Sequence, residues 1–116
     1  MFDFEKLIAY QKARVVNQKI QKILIEHKPN PFLRDQLYRA SSSMVINIAE
    51  GTGKLSKNDR KNFYVISRGS VFECASLLEM LCDEHNINEN ELTIFKTDLE
   101  EVSKLLSGLI NSFTKN

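Results

Sequence analysis

Apolar residues return at steps of three and four along almost the whole chain, the spacing of one face of an α-helix. Ala9, Ala13, Val16, Ile20, Ile23 and His27 hold that rhythm first, widened by Leu7, Ile8, Val15 and Leu24, and predict a helix over residues 4–27. Lys28-Pro29-Asn30-Pro31 ends it, because a residue before proline avoids αR and proline has no N–H to donate. Asn30 is placed to cap a second helix, with Pro31 at its first position. Leu33, Leu37, Ala40, Met44 and Ile48 stripe that helix over 32–50, and Gly51 is expected to stop it in the left-handed conformation. Ser56, with Asp59 three residues on, resembles a capping box and opens a third helix over 57–84.

Helix three is apolar or small on more than one face. Tyr64, Ser67, Val71, Cys74, Leu78 and Leu81 form one stripe, and Val65, Gly69, Phe72, Ser76 and Met80 form another about a quarter-turn away. Such a helix needs cover on several sides, so it is central or lies between its own bundle and another subunit. The second reading is favoured, since a four-helix domain has no true centre. A polar turn at 83–88 leads into helix four, 89–114, where Leu92, Phe95, Leu99, Val102, Leu106, Leu109 and Phe113 alternate three and four. That is an a/d seam for near-parallel packing, and burying each large side chain is worth roughly 1.5–3 kcal/mol. Short connections make sequential helices antiparallel. The expected fold is all-α, an antiparallel up-down-up-down four-helix bundle forming a single domain over residues 1–116.

Composition changes this picture little. Two prolines and four glycines in 116 residues suit a helical protein, and the length suffices for one core without staples. No apolar run approaches the ~18 residues of a membrane span. Residues 1–6 lack the basic-then-apolar pattern of a leader, so no membrane partner and a cytoplasmic location are expected. Cys74 and Cys82, eight apart on one helix, lie ~12 Å apart and cannot bridge. They read as reduced, packed thiols.

Charge is more informative. Residues 1–68 carry thirteen Lys and Arg against six Asp and Glu, whereas residues 69–116 carry three against nine. This polarity fits an electropositive face for nucleic acid or an acidic protein. It fits equally the pairing of basic and acidic helices within a bundle or across subunits. Lys54, Lys57, Arg60 and Lys61 gather at the turn between helices two and three, where they form a solvated rim or a phosphate-binding surface. Few aromatics interleave them, so base stacking is not indicated.

No catalytic set emerges. Gly51-Thr52-Gly53-Lys54 lacks the glycine and the Ser or Thr of a phosphate loop, since Ile48 and Leu55 occupy those places. Cys82-x-x-His85 offers two metal ligands where a closed site takes four, so neither metal nor cofactor is expected. Ser41-Ser42-Ser43 has no base nearby in sequence. Glu50 is the odd residue, because an acid in the last turn opposes the helix dipole at a cost of about 0.3–1 kcal/mol. We expect it to accept from Arg68, Arg39 or free N–H groups opening helix three, with Asn47 joining a structural junction that includes Gly51, Gly53, Gly69 and Ser70. A catalytic role for it would need a cleft and a partner.

Phe4-Glu5-Lys6-Leu7, Tyr10-Gln11-Lys12-Ala13, Gln36 to Ala40, Ser43, Asn47-Ile48-Ala49-Glu50-Gly51, Phe63, Ile66-Ser67-Arg68-Gly69-Ser70 and Glu73 together carry a family likeness. The chain resembles, over nearly its full length, the four-helix-bundle proteins encoded by intervening sequences of bacterial 23S ribosomal RNA genes. A related branch is the accessory variability determinant of diversity-generating retroelements. Tyr10 stands where the family usually has Trp. The resemblance implies a non-enzymatic bundle that assembles as a homopentamer and associates with nucleic acid. The chain departs from the strongly basic retroelement branch in its near-zero net charge and acidic helix four. The expected function is self-association with binding of RNA, or an RNA-containing complex, through the basic turn. The alternative is a scaffold for an unidentified protein partner, its charged faces pairing between subunits.

Overall fold

A computed structural model describes residues 1–114 and consists of four antiparallel α-helices in a bundle of 47 × 23 × 22 Å. They are α1 (Ile8–His27), α2 (Pro31–Thr52), α3 (Lys57–Asp83) and α4 (Glu89–Thr114). Each helix touches its two neighbours in a closed cycle, and α2 with α3 forms the most extensive seam. The stripes read from the sequence supply the core: Leu37, Met44, Ile48, Leu78, Leu81, Leu99, Val102 and Leu106 are wholly buried. The α4 seam thins toward its end, where Leu109 and Phe113 are half-buried and the Phe113 ring lies 6.0 Å from that of Tyr64.

The helix ends differ from expectation in two places. Residues 3–6 form a separate 3₁₀ turn, with Leu7 extended before α1 begins. The cause is aromatic. The Phe4 and Tyr10 rings meet at 4.8 Å, whereas residues six apart on a continuous helix point well away from each other.

Gly51 does not stop α2 in a left-handed conformation; it is buried inside the helix, and no glycine has positive φ. The helix runs on to Thr52, and Gly53 closes it with ordinary right-handed angles, its N–H shared between the Ala49 and Glu50 carbonyls. The left-handed positions fall instead on Lys28 and His85, in the two turns at the opposite end. Those turns are tied together, since Asn30 donates to the Glu84 carboxylate at 2.8 Å while its own oxygen caps Leu33 N–H. Ser56 caps α3 by accepting from Asp59 N–H at 3.0 Å. Asn88 and Glu91 form a reciprocal capping box at the start of α4.

Part of the charge asymmetry is absorbed by pairing between helices. Lys12 and Lys19 of α1 pair with Glu101 and Asp98 of α4 at 2.7 and 3.4 Å, and Lys96 pairs with Glu79 of α3 at 2.8 Å. The carboxylate partners hold the Lys12 and Lys96 ammonium groups above their ordinary pKa. The second stripe of α3 has no such cover: Val65, Phe72 and Met80 are exposed, Phe72 to 56%, as is Ile66 beside them.

Candidate functional site

Where α2 and α3 approach most closely, small and hydroxylated side chains line both helices. A β-carbon at Gly51 would lie 2.9 Å from the Phe63 β-carbon and 3.2 Å from the Arg60 carbonyl, so glycine is there for close approach. One turn back, the Asn47 amide donates to the Ser43 carbonyl and hydroxyl at 2.8 and 2.9 Å. The Ser43 hydroxyl is 2.8 Å from that of Ser70, which also reaches the Ile66 carbonyl. Ser67, wholly buried, donates to the Met44 carbonyl across the seam at 2.7 Å. Tyr64 and Thr52 hydroxyls meet at 2.8 Å. Ser43, Ser67, Thr52 and Tyr64 were not anticipated as members of this junction. Their signal is the spacing of Ser43, Asn47 and Gly51, four apart on one face of α2.

Glu50 and Arg68 are not brought together. Glu50 is exposed, and its carboxylate has no hydrogen-bond or ion-pair partner among the described residues. Arg68 turns toward α4, where its Nε donates to the Ser107 hydroxyl at 3.0 Å and its guanidinium stacks 4.7 Å from the centre of the Phe72 ring. The two residues leave the seam on its outer side, where the side-chain directions diverge. Gly69 is also outside the seam, and a β-carbon there would meet nothing within 4 Å.

The turn itself, Gly53 to Ser56, is held from below. Arg60 Nε donates to the Lys54 carbonyl at 2.6 Å, and the Lys54 ammonium sits 5.0 Å from the centre of the Phe63 ring. Lys57 is exposed, while Lys54, Arg60 and Lys61 are half-buried along their stems. Leu55, between Lys54 and Lys57, is 100% exposed at the tip. Among the described residues none of these four cations pairs with a carboxylate, although Glu50 and Asp59 lie at the same end. The first-turn N–H groups of α3 face the same turn, adding a partial positive charge.

Elsewhere the polar groups are spread out. Burial pushes the Cys74 thiol up to about 12, and burial followed by Glu89 raises that of Cys82, whose sulfur is 3.6 Å from the Glu89 carboxylate. Among the described residues no group of three or more His, Cys, Asp or Glu could hold a metal ion, and no helix is long and apolar enough to cross a membrane. A groove of about 250 Å³ between α3 and α4 has an apolar floor of Val71, Ala75 and Leu99, with Lys96, Glu100 and Lys104 on its rim.

A family model described as 23S rRNA-intervening sequence protein matches residues 5–108. Among solved structures, one from Bacteroides thetaiotaomicron, a protein with unknown function from the S23 ribosomal protein family, aligns with a TM-score of 0.82. Identity is 24%, and the alignment covers 89% of this chain and 98% of that one, a likeness of fold. No curated protein matches the chain.

Proposed function

The chain belongs to the 23S rRNA-intervening sequence protein family, and from that premise we propose that it is a non-catalytic bundle that assembles with copies of itself and binds RNA through the α2–α3 turn. A homopentamer is the assembly the family resemblance implies. The observation that carries the reading is the state of the cations. The α1 lysines that face α4 are matched by its acids, whereas Lys54, Lys57, Arg60 and Lys61 stand together with no carboxylate partner among the described residues. Cations left unmatched on one accessible end, beside a helix N-terminus, suit phosphate oxygens. With the Phe63 ring covered by Lys54, contact through phosphate rather than base stacking is the mode these residues support.

The test is affinity for a single-stranded RNA oligomer across a salt series. Each neutralised phosphate contributes a slope of roughly −0.7 in log affinity against log salt. Replacing Lys54, Lys57 and Lys61 together by Ala is expected to flatten the slope by about two units per protomer engaged. An intact oligomer that binds no RNA at low salt would sink this reading. That outcome would favour the protein scaffold, which the uncovered α3 stripe also supports.

A further inference from the structure

We infer that the outer face of α3 in one copy of this chain seats against α2 of a second copy, with Arg68 taking the second copy's Glu50 carboxylate. The inference rests on the self-association reading and names the contact that makes it.

Arg68 is an ordered but incompletely used cation. Its Nε is engaged by Ser107 and its plane lies on Phe72, while no carboxylate of the described residues reaches its two terminal nitrogens. A guanidinium held in this way is ready for bidentate capture of a carboxylate. It borders a bare surface, because Val65, Gly69, Phe72, Ser76 and Met80 recur at helical spacing and all are exposed. The absence of any atom near a Gly69 β-carbon leaves room there for another helix.

Several of the chain's acids are already engaged. Glu79, Asp98 and Glu101 already face lysines, Glu84 accepts from Asn30, and Glu91 belongs to a cap. Asp59 sits in the first turn of α3, where the helix dipole favours it. Glu50 is exposed in the last turn of α2, where the dipole opposes it, and its carboxylate has no partner among the described residues. A cation from outside relieves that position.

Spacing supplies the independent argument. On α3, Arg68, Phe72, Ala75 and Glu79 follow one another at steps of four, three and four. On α2, Arg39, Ser43, Ile46 and Glu50 follow at the same steps. Laid antiparallel, Arg68 meets Glu50 and Phe72 meets the exposed Ile46, while Glu79, which keeps its pair with Lys96, comes level with the exposed Arg39. The two helices keep this register over three turns, because each spaces these positions eleven residues from end to end on one face. Copies related by rotation about an axis parallel to the bundle place α3 and the neighbour's α2 antiparallel. The contact joins two different faces, so it is heterologous and repeats around a ring.

Charge reversal tests this. Arg68→Glu and Glu50→Arg are each expected to weaken assembly at least tenfold by light scattering over a dilution series, and the double variant to recover to within about threefold of the parent. Circular dichroism and thermal unfolding check that each variant is folded; Arg68→Lys and Glu50→Gln serve where a reversal does not fold. Folded single variants that assemble like the parent, or a folded double variant that fails to recover, would overturn the pairing while leaving self-association intact. A parent chain that is monomeric at every concentration would overturn self-association itself.

Discussion

Glycine at position 51 and glycine at position 108 look alike in the sequence, yet the surroundings give them opposite roles. An added methyl at Gly51 would press on Phe63, Tyr64 and the Arg60 carbonyl, whereas one at Gly108 would meet nothing within 4 Å. Gly51→Ala is therefore expected to lower stability by about 1–3 kcal/mol through overpacking. Gly108→Ala should raise it by about 0.5–1 kcal/mol by favouring helix. Urea unfolding of the two variants checks both signs, and a stabilising Gly51→Ala would remove the close-approach account. The Asn47–Gly51 segment was legible as a junction, but the reasons for its residues were not. Sequence spacing gives the direction in which a side chain leaves its helix. It does not give the distance to the next helix, so Gly51 reads as a stop signal, and Glu50 is offered Arg68, Arg39 or the N–H groups opening α3, none of which its carboxylate meets.

Helix four shows how two kinds of interaction divide the work of holding an element in place. Leu99 is buried by α3 and its neighbours, while Glu101 makes a half-exposed ion pair with Lys12 at 2.7 Å. Leu99→Ala is expected to cost about 2–5 kcal/mol, the range for a core truncation that leaves a cavity. Glu101→Ala should cost less than about 1 kcal/mol, because solvent screens the pair and its long side chains lose entropy when ordered. Thermal unfolding separates the two, and comparable losses would mean that the ion pairs, not the apolar seam, anchor α4. All four helices were legible from periodicity, with prolines and Ser56 marking their ends. The break at Leu7 was not, because it depends on Phe4 finding Tyr10 once the chain has folded. At the candidate RNA-binding turn, the cations were legible from composition. Their freedom from carboxylates was not, since that depends on which acids α4 presents to α1.

At the scale of the whole molecule, the perturbed groups all respond to alkali. Burial lifts the Cys74 thiol from 9.0 to about 12, so the fold keeps a proton that the unfolded chain releases above about pH 9. Stability therefore falls as pH rises through that window, by about 1.4 kcal/mol at roughly pH 10 from this thiol alone. Cys82 shifts in the same direction, and the Lys12 and Lys96 pairs lose their contribution only as pH passes through their own raised folded values. Urea titrations at about pH 8 and pH 10 should show the drop in the parent and a flatter response in Cys74→Ala; equal slopes would contradict it.

By itself the sequence determined the four helices, their polar ends, the apolar faces they bury and the extra stripe on α3, because helical period fixes where each side chain points around its own axis. Only the tertiary structure decided which acids meet which lysines, that Gly51 sits at the closest approach of α2 and α3, and that Glu50 and Arg68 meet no opposite charge among the described residues. Those outcomes depend on the distance and rotation between helices, which both partners set together and neither segment encodes alone.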